Sequence, residues 1–70
     1  MNKKDQIKII DTIENRLAIN PYSGKKLAGS LSDFYRYRVE KYHIIYSIHE
    51  SNIEIEIIKI GHRKDIYDLM

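Results

Sequence analysis

The stretch from Phe34 to Ile60 constrains this chain most, because its side chains alternate with period two, the period of a β-strand. In Phe34–Val39, Tyr35, Tyr37 and Val39 face one way and Arg36 and Arg38 the other, so two arginines stand side by side on one sheet face. Tyr42 to His49 alternates as well, with Tyr42, Ile44, Tyr46 and Ile48 on one face and His43, Ile45, Ser47 and His49 opposite. In the third segment Ile53, Ile55 and Ile57 point inward and Glu54 and Glu56 outward, until Ile58 and Ile60 break the alternation. β-Branched and aromatic residues suit a pleated, half-buried surface. The connections, Glu40-Lys41 and Glu50-Ser51-Asn52, are short enough for antiparallel hairpins. The pattern predicts a three-stranded antiparallel meander that ends in Gly61-His62-Arg63.

Ahead of it the period changes. Ile7, Ile10, Ile13 and Leu17 recur at helical spacing with Ile9 at the flank, while Lys8, Asp11, Glu14 and Asn15 fill the other side. Asn2 and Asp5 supply a cap and a charge that complements the helix dipole. The helix is expected from Lys3 to Ala18, where Asn20-Pro21 stops it. Tyr22–Leu27 is expected to add one or two helical turns capped by Ser23, with a loop beginning at Gly29-Ser30. The fold class is therefore α+β, an N-terminal helix or helical pair packed on the Tyr35/Tyr37/Ile44/Ile55 face of the meander.

Size and composition set limits. At 70 residues the chain is one domain, and a domain this small buries only about 60% of its unfolded surface. It has no cysteine, so neither disulfides nor thiolate-bound metals can reinforce it, and a cytoplasmic location is expected. No apolar run approaches the roughly 20 residues that span a bilayer, so no membrane partner is expected. No glycine-rich phosphate loop, serine triad or metal-ligand cluster is present, and no cofactor is expected. The net charge of +2 says less than where the charges stand.

Four stretches together resemble a known family: Asn20-Pro-Tyr-Ser-Gly-Lys-Lys-Leu27-Ala-Gly29, Tyr35-Arg-Tyr-Arg38-Val39, Tyr42-His-Ile-Ile-Tyr46, and Ile60-Gly-His-Arg63 with Tyr67. Their order and spacing resemble the RelE/ParE superfamily of toxin–antitoxin toxins, the RelE branch above all, over about Lys4 to Asp68. Two features depart from that pattern. The chain begins inside the first helix, without the usual preceding strand, and His43 stands where an arginine is usual.

The resemblance implies a ribosome-dependent mRNA endonuclease, neutralised by a cognate antitoxin, that cuts in the ribosomal A site. The ribose 2′-hydroxyl attacks the adjacent phosphate without a metal, leaving a cyclic phosphate and a 5′-hydroxyl. Such chemistry needs cations on the phosphate, groups that move protons and a ring that stacks on a splayed base. By resemblance, Arg36, Arg38 and Arg63 supply the cations and Tyr67 the ring or a proton. His43 gives up a bidentate clamp but offers an imidazole as acid or base. Lys25 and Lys26 are expected to form a rim that attracts phosphate, and His62 to contact RNA or serve as the base.

Each residue also has a plainer reading. Arginines alternating on a strand commonly form a solvated face, a histidine in a tail is commonly only exposed, and Tyr35, Tyr37, Tyr42 and Tyr46 follow the core pattern. Two other functions stay open: a ParE-like gyrase inhibitor, and an inactive remnant that only binds antitoxin. Finally, a meander with one helix leaves a sheet edge on which a homodimer or an antitoxin can form.

Overall fold

The computed structural model describes residues 2–52 and 54–62. Helix α1 spans Lys3–Thr12 and runs on into a π-helical turn, Ile13–Leu17, closed by Ala18 N donating to Ile13 O at 2.8 Å. Asn2 caps it as its sequence position suggests, its side chain accepting from Asp5 N at 2.8 Å. The buried stripe is not the expected one. Ile9 and Leu17 are 2% and 0% exposed and Ile13 packs against them, whereas Ile7 and Ile10 remain 59% and 54% exposed. One helix crossing a sheet hides a narrow strip, and the i, i+4, i+8 row fills it here.

The helix leads into a 3-10 turn, Pro21–Ser23, capped by Asn20 rather than Ser23: Asn20 Oδ1 accepts from Tyr22 N at 3.2 Å. The helical continuation expected through Leu27 does not form. Instead Lys25–Lys26 is a short strand, β1, followed by a second 3-10 turn at Gly29–Leu31 and by strands β2 (Phe34–Val39), β3 (Tyr42–His49) and β4 (Glu54–His62). The sheet has four antiparallel strands in sequence order, not three, with Lys25 opposite Arg36 and Lys26 opposite Tyr35. Two lysines carry no strand signal of their own, so pairing with β2 has to create this strand.

The β2–β3 connection is the two-residue turn Glu40-Lys41, in which Glu40 takes φ 55°, an uncommon conformation for a residue other than glycine. Arg38 Nε donates to the Glu40 carbonyl at 2.9 Å and Lys8 reaches the Glu40 carboxylate, so both neighbouring elements hold the turn. In β4 the register shifts: Ile45 pairs with Lys59 and Tyr46 with Ile57, leaving Ile58 as the extra residue of a β-bulge. The bulge explains the broken alternation. It returns Ile60, opposite Ile44, to the face that carries Ile55 and Ile57.

Tyr42, Ile44, Tyr46, Val39, Ile9 and Leu17 form the core between helix and sheet. Tyr35 stacks on Tyr46 with ring centroids 5.6 Å apart, and Tyr22 meets Tyr35 edge-on at 6.0 Å. The two edges of the sheet are unequal. β1 has two residues, while β4 has nine and carries both the bulge and Lys59, features that blunt strand addition. Among the described residues no helix is long and apolar enough to cross a membrane.

Candidate nucleic-acid interface

Paired residues of an antiparallel sheet point to the same side, so the registers assign each side chain to a face. On the face away from α1, Lys25 pairs with Arg36, Arg36 with Ile45, and Ile45 with Lys59. One row thus crosses all four strands, a span of roughly 14 Å at about 4.8 Å per strand. The adjoining row is Arg38, His43 and Gly61. Five cationic or titratable side chains therefore share one end of this face, and no carboxylate among the described residues forms an ion pair with either arginine.

The other end of the face is acidic. Glu56 lies opposite Ser47 and Glu54 opposite His49, and His49 Nε2 approaches Glu56 Oε2 at 3.7 Å. The face is polarised along the strands, basic beside the β2–β3 turn and acidic beside the β3–β4 turn. Such separation fixes where an anion can settle.

The sequence candidates are placed unequally by the fold. Arg36, Arg38, His43 and Lys25 come together, Arg36 half-buried, Arg38 and Lys25 exposed, and His43 only 5% exposed with Nδ1 shielded from solvent. Lys26 points to the helix side, opposite Tyr35. His62 also lies on that side, opposite Tyr42, whose ring it meets edge-on at 6.0 Å. The fold thus separates Lys26 and His62 from the arginine pair. Arg63 and Tyr67 lie outside the described residues.

Lys59 was not a candidate from sequence, although it closes the cation row. It follows the break in alternation, and only a bulge at Ile58 assigns it to the arginine face. The doubled isoleucine Ile57-Ile58 is the signal that could have revealed it. In the turn just ahead of Lys25, the Tyr46 hydroxyl donates to Pro21 O at 2.7 Å and accepts from Gly24 N at 3.0 Å. Burial pushes the Tyr46 phenol above its ordinary pKa, partly offset by the Gly24 amide, so the hydroxyl keeps its proton as donor.

Compared with the curated proteins, the sequence has no significant match. A family model, described as the ParE toxin of the type II toxin–antitoxin system parDE, matches residues 2–67. That match spans nearly the whole chain and brings with it a cognate antitoxin as partner. The chain belongs to the ParE toxin family of type II toxin–antitoxin systems, within the RelE/ParE superfamily.

Proposed function

We propose that this toxin acts on translation by cutting mRNA in the ribosome, using the basic end of the sheet face to hold the scissile phosphate. The observation that carries the reading is that the row Lys25, Arg36 and Lys59 adjoins the row Arg38 and His43 on one sheet face. The 2′-hydroxyl attacks the neighbouring phosphorus, its proton passes to a base, and the 5′-oxygen leaves and takes up a proton. Guanidinium groups favour this path because charge grows on the phosphoryl oxygens as the new bond forms. His43, set between Arg38 and the side-chain-free Gly61, is the proton-transfer group nearest those cations in register. Arg63 and Tyr67 join the site in this proposal on the strength of the sequence resemblance.

A second reading is favoured by the family match itself: a ParE-type toxin that binds gyrase and cuts nothing. Primer extension on programmed ribosomes separates the two. Cuts in the A-site codon, absent without ribosomes and slowed about 10²–10³-fold in Arg36→Ala, are expected for the nuclease. Intact mRNA together with blocked DNA supercoiling would establish the gyrase reading. Failure of both assays, with antitoxin binding retained, leaves an inactive antitoxin-binding remnant.

For self-association β4 is the longer of the two sheet edges, nine residues against two in β1, although its bulge and Lys59 oppose strand addition. A monomer in light scattering at tens of micromolar rejects a homodimer formed there.

A further inference from the structure

We propose that Tyr46 is a positioning residue for the cation row: its hydroxyl clamps the Pro21–Gly24 turn so that Lys25 is held beside Arg36. The proposal rests on the phosphate-binding reading of that face. Its geometry has three parts.

First, one hydroxyl in the central strand serves both ends of the turn, donating to Pro21 O and accepting from Gly24 N. Second, the turn passes too close to the sheet for any other residue at position 24. A Cβ on Gly24 would lie 2.3 Å from the Tyr46 hydroxyl oxygen and 2.9 Å from the Arg36 carbonyl. Gly24 has φ −79°, so glycine is required here for space and not for conformational freedom. Third, β1 has little to hold it in place by itself. It is two residues long, followed by Leu27 N donating to Phe34 O at 3.0 Å, and it sets Lys25 directly opposite Arg36. Like charges directly opposite one another in a sheet repel. The clamp opposes that repulsion, and a bound phosphate between the two cations removes it.

Tyr46→Phe tests the idea, since it deletes the hydroxyl and keeps the ring that stacks on Tyr35. Without nucleic acid, faster hydrogen exchange is expected at the Gly24 and Leu27 amides, with β3 and β4 amides unchanged. Unchanged protection at Gly24 and Leu27 overturns the clamp. With a labelled single-stranded oligoribonucleotide, the slope of log affinity against log salt is read for wild type, Tyr46→Phe, Lys25→Ala and the double variant. Each single change is expected to lower the slope by about 0.7, the contribution of one phosphate contact on a single strand. The double variant is expected to lose no more than either single one. Full additivity overturns the proposal, because a merely structural role for Tyr46 would leave the contribution of Lys25 intact.

Gly24→Ala is the second variant, with the core tyrosine untouched, and is expected to reproduce the exchange and slope changes. A wild-type slope near zero rejects the phosphate reading of the face, and the proposal with it. A normal wild-type slope unchanged in Tyr46→Phe rejects the clamp alone.

Discussion

Strand β3 is buried on both faces from Tyr42 to Tyr46, but the two faces are built for different ends. Toward α1, Tyr42, Ile44 and Tyr46 meet Ile9, Leu17 and Val39 in an apolar core. On the other side His43 and Ile45, each 5% exposed, lie in rows whose other members are Arg36, Arg38, Lys25 and Lys59. The first face gains stability from every group it hides. The second gathers like charges that repel one another, an arrangement that a folded chain retains at some loss and that an anion relieves. Stability and recognition are thus divided across one layer of backbone.

That division is tested most severely by Leu17→Ala. Leu17 is fully buried, so chemical denaturation should show a loss of about 2–5 kcal/mol, a large share of what so small a domain possesses. The salt slope of RNA binding, measured where the variant is still folded, should not move. A changed slope would mean that the core face also contacts the ligand.

Arg36→Ala and Lys59→Ala probe the opposite side. Each should lower the slope by about 0.7 and change stability by less than about 1 kcal/mol. If Lys59→Ala leaves the slope intact, the row ends at Arg36 and the bulge serves the core alone.

The smallest effect is expected at the rim, where Lys8 of the helix meets Glu40 of the turn. The Lys8 ammonium, by hydrogen bond and by charge, holds the Glu40 carboxyl below its ordinary pKa, and Glu40 in turn raises that of Lys8. Because Glu40 is depressed on folding, its contribution is present above the unfolded carboxyl pKa and is lost as pH falls through the folded one. Lys8, being raised, loses its share only as pH climbs through its folded value, far into the alkaline range. Both groups are exposed, so Glu40→Gln should flatten the acid limb of the stability profile only slightly. A large change would show that the pair couples the two faces.

Local pattern determined much of this protein. The alternation of Tyr35 to Ile55 set the strands and their faces, Asn2 set the start of the helix, and Asn20-Pro21 its end, because neighbouring residues decide these features between themselves. The arginine pair was legible for the same reason. The buried helix stripe was not. Ile7, Ile9, Ile10 and Ile13 are chemically equivalent, and only the direction in which helix and sheet meet selects Ile9 and Ile13 over Ile7 and Ile10.

Tertiary structure alone decided three further points. It made a strand of Lys25–Lys26, a dipeptide without strand propensity, by pairing it with Arg36 and Tyr35 of β2. It converted the irregularity at Ile58 into a bulge that turns Lys59 toward the arginines. It also buried His43 between neighbours that only strand pairing supplies. Period and capping are short-range properties of a sequence, whereas register and the space at Gly24 depend on where distant segments meet.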